Sequence, residues 1–230
     1  MTQCHSTGTV TGDDYVGGLV GENSDGSITS SYSTGAVSGA SLVGGLVGCN
    51  EHGTVTQCHS TSAVTGGGGG GGLVGSNRRN VVYCYSTGTV SGTHWEVGGL
   101  VGYNGGAVIH SYSTSAVSGT DWYVGGLMGS NDGAVTQCYS TGAVSGTDRV
   151  GGLVGWNWGS IATSFWDTMT SRQTTSPAGM GKTTAEMQTA KTFRDAGWDF
   201  VGETVNGTED IWWILEGKDY PRLWWEAAKK

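Results

Sequence analysis

An all-β fold, a parallel β-solenoid of about six 27-residue coils with right-handed winding, is what this sequence predicts, and three observations carry the prediction. The first is a segment Gly-Gly-Leu-(Val/Met)-Gly beginning at Gly17, Gly44, Gly71, Gly98, Gly125 and Gly151, in steps of 27, 27, 27, 27 and 26 residues. The second is a block (Cys/Ser)-(Tyr/His)-Ser-Thr-(Gly/Ser)-x-Val-(Ser/Thr)-Gly at Cys4, Ser31, Cys58, Cys84, Ser111 and Cys138, with a degenerate copy at Ser164-Phe165-Trp166. The third is composition: 44 of 230 residues are Gly, only 2 are Pro, and charged residues make up 13%, about half the usual share.

Each element of that prediction has a physical reason. Abundant Gly without Pro excludes collagen and Pro-rich linkers, and calls for tight corners or close backbone approach. Helical repeats are excluded because Gly and β-branched residues dominate, and propeller blades need longer repeats. Three short strands joined by tight corners fit one repeat, with coils stacked about 4.8 Å apart. One side is Val-Gly-Gly-Leu-Val-Gly, as in Val43 to Gly48. A second runs from Ile28, Val55, Val81, Val108, Val135 and Ile161 into the Tyr-Ser-Thr block, and a third surrounds Val10, Val37, Val64, Val90, Val117 and Val144. Leu and Val then form aliphatic ladders, and the glycines are expected at corners or positive-φ positions.

Asn recurs at Asn23, Asn50, Asn77, Asn104, Asn131 and Asn157, which predicts a structural ladder of stacked amides satisfying the corner backbone. Length and sequence vary in the corner after each Asn and in the loops Asp13–Tyr15, Ala40–Leu42, Gly67–Gly69, Thr93–Glu96, Thr120–Tyr123 and Thr147–Arg149. Variable loops on one edge are where a solenoid carries specificity.

The Gly-Gly-Leu-Val-Gly-x-Asn unit resembles the GLUG-motif repeat of bacterial surface proteins, including large adhesins and stalk regions of IgA-specific metallopeptidases. The resemblance covers residues 2–165, where six copies share register and spacing. It implies a secreted or surface-displayed β-helical stalk whose catalytic domains lie elsewhere. It also extends to the tail from Gly181 to Leu223, which looks like the segment that often follows such repeats.

Residues 1–165 are therefore read as the solenoid and 166–230 as a C-terminal capping segment, since an open coil end needs cover. Residues 166–180 read as a polar wrapping loop. Thr183 with Glu186 makes a capping box for a helix over Thr184–Asp195. Trp198–Val201 and Ile211–Leu215 read as strands, and Pro221–Trp225 as a docking tail.

Chemistry-bearing residues are few. Ala178–Thr184 imitates a phosphate loop but has Ser176 where a Gly is required and no buried strand before it. No His-Glu-x-x-His is present, and His5 and His59 share their position with Tyr32, Tyr85, Tyr112 and Tyr139, an aromatic ladder. Cys4, Cys58, Cys84 and Cys138 alternate with Ser31 and Ser111 at one interior position, so free thiols are expected, and Cys49 is unmatched. A Thr row at Thr7, Thr34, Thr61, Thr87, Thr114 and Thr141 lacks the second flat Thr row that ice binding would want. Asp121 and Asp148 form a weak Ca²⁺ candidate. Trp95, Trp122 and Tyr123 in adjacent loops, with Trp156 and Trp158, form a carbohydrate-binding candidate, because aromatic faces stack on sugar rings.

Net charge is −8, and the repeats carry nine acidic against three basic residues, which argues against nucleic acid. No apolar run is long enough to span a membrane. Met1 enters the repeat at once with no signal peptide, so the export signal has been lost or the chain is a fragment. The expectation is a non-catalytic extracellular structural or adhesive module at a bacterial surface, with no cofactor and a glycan or host-surface ligand. The alternative is a filament subunit self-associating end to end through the first coil, Thr2 to Val10.

Overall fold

The computed structural model describes residues 1–226, which divide into two compact units, one of Met1–Gly181 and one beginning at Lys182. The first is a parallel β-solenoid of about six turns in which every inter-coil pairing is parallel. Winding brings each repeat directly over the last: Val74 pairs with Val47 and Val101, and Asn77 with Asn50 and Asn104.

The strands form four stacks, not three. One holds Val20–Asn23, Val47–Asn50, Val74–Asn77, Val101–Asn104, Met128–Asn131 and Val154–Asn157. The next holds the three-residue strands from Ser27–Thr29 to Ser160–Ala162. A third runs from His5–Ser6 through Tyr112–Ser113 to Phe165–Asp167, and the last is ten-stranded and includes Val37–Gly44 and Val64–Gly71. The side expected to run unbroken from Ile28 into the Tyr-Ser block is therefore bent in two. The bend is one residue in left-handed backbone: Gln3, Ser30, Gln57, Tyr83, His110, Gln137 and Thr163, with φ between 43 and 57°. None is Gly, although L-residues pay for this region. Side chains stacked above and below offset the strain, as where His110 Nε2 meets Gln137 Oε1 at 2.6 Å and Tyr83 stacks on His110 at 5.2 Å.

The interior holds two apolar columns. The larger stacks Leu46, Leu73, Leu100, Leu127 and Leu153 with Val55, Val81, Val108 and the thiols of Cys58, Cys84 and Cys138. The smaller is valine alone, from Val16 and Val37 to Val144. All five cysteines are free thiols. Between the columns the Gly-Gly pairs pass a row of buried serines, Ser33, Ser60, Ser86, Ser113 and Ser140. Ser86 Oγ donates to Gly99 O at 2.5 Å and Ser140 Oγ to Gly152 O at 2.8 Å. The repeat glycines do not sit at positive φ, Gly69 excepted; a Cβ on Gly44 would overlap Val47 O, and one on Gly99 would overlap Gly126 O and Ser113 Oγ. Close approach of backbone, not handedness, fixes glycine here.

Residues 166–181 close over the last coil. Trp166 enters the larger column at 5% exposure, Val144 N–H donates to Ser171 O at 3.0 Å and Gly152 N–H to Thr175 O at 3.1 Å. Ser176 Oγ accepts from Val154 N–H at 3.0 Å, so these three donors are met by the chain itself.

The second unit has its own small core of Met187, Phe193, Trp198, Phe200, Trp212 and Leu223. The capping box of Thr183 and Glu186 forms, but the helix expected over Thr184–Asp195 is two short ones, Thr184–Met187 and Ala190–Arg194. Gln188 O accepts from Gly217 N–H at 2.8 Å, so it is not serving a continuous helix. Trp198–Val201 is not a strand but a single bridge from Phe200 to Trp212, while Trp212–Trp213 pairs antiparallel with Arg222–Leu223.

Candidate functional site

Seven rings line one stack of strands, exposed at His5 and fully buried from Tyr112 to Phe165. His5, Tyr32, His59, Tyr85, Tyr112 and Tyr139 lie face to face with centroids 4.9 to 5.1 Å apart, and Phe165 follows in register. Burial between tyrosines pushes the His59 pKa below its ordinary value. A histidine whose folded pKa is lowered contributes nothing above its unfolded pKa and costs stability as pH falls through it. His59→Tyr keeps the stack, so acid melting curves of this variant should fall less steeply below about pH 6.5, by less than ~1.4 kcal/mol per pH unit, the limit one proton sets. Parallel pH profiles for the variant and the natural chain would remove this role.

The Asn row is a continuous amide ladder. Asn23, Asn50, Asn77, Asn104 and Asn131 each donate through Nδ2 to the next Oδ1, at 2.7 to 2.8 Å. The same amides bind their own turns: Asn77 Nδ2 donates to Arg79 O at 3.0 Å, and Asn77 Oδ1 accepts from Arg79 N–H at 3.3 Å. With both ends of each buried amide engaged, the row holds the coil register and has nothing left for a ligand.

The aromatic edge is built by two columns. Two residues before each Gly-Gly, the chain takes left-handed backbone at Tyr15, Leu42, Gly69, Glu96, Tyr123 and Arg149, with φ of 49 to 67°. Inter-coil bonds hold that bend, Glu96 N–H donating to Trp122 O at 3.1 Å and Val97 N–H to Tyr123 O at 2.9 Å. Beside it runs the outward row Tyr103, Ser130 and Trp156, paired in register. The columns interlock: Glu96 Oε1 accepts from Ser130 Oγ at 2.8 Å, and Tyr123 lies 5.7 Å from Trp156. Burial, together with Asp132 nearby, raises the Glu96 pKa against the opposing Ser130 bond. Tyr103 donates to Asp132 Oδ2 at 3.1 Å.

Arg149 is the centre of this edge. Its guanidinium carbon stands 4.6 Å over Trp156, 5.2 Å over Tyr123 and 5.7 Å over Trp122, and Nη1 donates to Tyr123 OH at 2.9 Å. Trp158 packs on Trp156 at 5.9 Å yet stays 76% exposed, and Trp122 is 47% exposed. Four of the five aromatic residues singled out from the sequence thus come together. Trp95 does not: it packs edge-on against His94 at 6.3 Å in its own loop. Asp121 and Asp148 stand in consecutive loops, and among the described residues no three His, Cys, Asp or Glu side chains converge to hold a metal. Glu96 and Arg149 stand out in the sequence only as loop ends; the signal that puts them in one column was their shared place two residues before Gly-Gly.

The GLUG motif matches residues 12–38, 39–65 and 93–118, so the chain is a parallel β-solenoid carrying GLUG repeats. Over 77 residues, 31% of the chain, it is 38% identical to a "Putative Gly-rich membrane protein" of Evansella cellulosilytica, of which it covers 8%. A crystal structure of a "putative immunoglobulin A1 protease" from Bacteroides ovatus has the same fold, with a TM-score of 0.66, 19% identity, and coverage of 97% of this chain and 75% of that one. No helix among the described residues is long and apolar enough to cross a membrane.

Proposed function

We propose that the chain is a non-catalytic structural and adhesive module displayed at a bacterial surface, a rigid rack that holds variable loops at fixed spacing. The observation that carries this reading is the contrast between its two faces. Leu, Val and Asn rows repeat almost without substitution, while the loops before each Gly-Gly change from Gly67-Gly68-Gly69 to Asp121-Trp122-Tyr123. A scaffold so uniform, carrying edges so varied, suits presentation more than chemistry. The names of the two relatives, one a membrane protein and one an immunoglobulin A1 protease, are consistent with a surface setting.

The test is antibody labelling of intact and permeabilised cells of the source organism, followed by protease shaving. Labelling of intact cells that shaving removes supports surface display. Labelling only after permeabilisation overturns it.

A further inference from the structure

We propose that Trp122, Tyr123, Arg149, Trp156 and Trp158 form a binding site for a saccharide that carries an isolated carboxylate, such as a uronic or sialic acid unit. Three features of the edge select that ligand. The first is exposed aromatic surface on one side of the coil: the Trp158 and Trp122 rings offer apolar faces that a pyranose C–H face covers. The second is Arg149. Held over three rings and pinned by Tyr123 OH, its guanidinium is oriented, and among the described residues it makes no ion pair. A planar cation kept in place with donors to spare is the group that binds a carboxylate in two parallel hydrogen bonds. Its stacking on Trp156 leaves it without a carboxylate partner among the described residues.

The third feature is the acidity around it. Asp121, Asp148, Glu96 and Asp132 lie on the same loops or the adjoining rows, and the chain carries a net charge of −8. That field opposes a densely sulfated or phosphorylated polymer far more than a single carboxylate, whose charge the one arginine answers. The site therefore favours a glycan with single acidic units among neutral sugars. A neutral sugar could use Trp158 but would leave Arg149 unanswered.

This inference rests on the surface reading only for its biological setting; the binding test uses the purified chain and can fail while surface labelling succeeds. The probes are 3′-sialyllactose, an unsulfated glucuronic acid-containing tetrasaccharide, and lactose as the neutral control, titrated at millimolar concentration and followed by intrinsic Trp fluorescence and saturation-transfer NMR. At least one acidic probe should bind about tenfold more tightly than lactose, since charge-assisted bidentate bonds contribute at that level. Arg149→Gln should bring the acidic probe down to the lactose level, and Trp158→Ala should weaken both, with circular dichroism confirming that each variant is folded. Trp95→Ala, outside the cluster, should change neither. No binding of either acidic probe overturns the site. Equal affinity for lactose, or acidic binding that survives Arg149→Gln, overturns the assignment of the carboxylate to Arg149.

Discussion

Leu100→Asp should abolish the cooperative β-type melting of the solenoid at pH 7. Leu100 is fully buried in the larger column, between Leu73 and Leu127, and its backbone already bonds both neighbouring coils through Leu127 O at 2.8 Å and Leu73 N–H at 2.9 Å. An aspartate there finds apolar side chains and no free donor, so it stays protonated in the fold and ionises on unfolding. Its folded pKa lies above the unfolded value near 3.9, so the added cost is absent in acid and grows as pH rises. Between about pH 4 and pH 7 that growth reaches ~4 kcal/mol, on top of the ~2–5 kcal/mol that lost leucine packing costs by itself. The sum rivals the whole stability of an ordinary domain, ~5–15 kcal/mol. Leu100→Met, which conserves volume, should cost less than ~1.5 kcal/mol. Circular dichroism melts of the three chains at both pH values decide the matter; an Asp variant that melts with the natural chain at pH 7 would remove Leu100 from the core.

The period made most of this fold readable. A step of 27 residues fixes which residues stack, so the Leu column, the Asn row and the Tyr-His ring ladder follow from spacing alone. What spacing hides is any bend made without its usual residue. The corner at Gln57, Tyr83 and His110 is left-handed without glycine, so nothing in composition marks the fourth stack of strands. The glycines misled in the opposite direction, because a residue excluded by a neighbour's backbone looks in sequence like one chosen for positive φ.

The candidate site was half legible for a related reason. Aromatic loop residues stand out one by one, but contacts across the corner join Glu96 to Ser130 and Tyr123 to Trp156, offsets that are not multiples of the repeat. Arg149, an isolated base in an acidic region, gave no pattern until its column lay beside Trp156. In the C-terminal unit no repeat helps. Trp198 and Phe200 have the composition of a strand, but their burial against Phe193 and Trp212 serves a small aromatic core instead of a ladder.

Substitution of alanine for glycine separates close approach from backbone flexibility. Gly99→Ala should lower stability by more than ~3 kcal/mol, while Gly8→Ala should be neutral or stabilising by up to ~1 kcal/mol. Neither position has the left-handed backbone that disfavours alanine, and alanine reduces unfolded-chain entropy at both. They differ in what the new Cβ meets. At Gly8 nothing lies within 4 Å. At Gly99 the methyl group would overlap Gly126 O of the next coil and the Ser113 hydroxyl, and Gly99 O also accepts from Ser86 Oγ at 2.5 Å. Relief requires the coils to separate, which would stretch the Gly99 N–H bond to Gly125 O and the Leu100 N–H bond to Leu127 O alongside it. The damage therefore passes to both adjoining coils, since a stacked repeat draws its stability from its neighbours. Denaturant melts of the two variants measure the difference directly. Equal midpoints would mean that close approach of the neighbouring coil does not fix glycine at position 99.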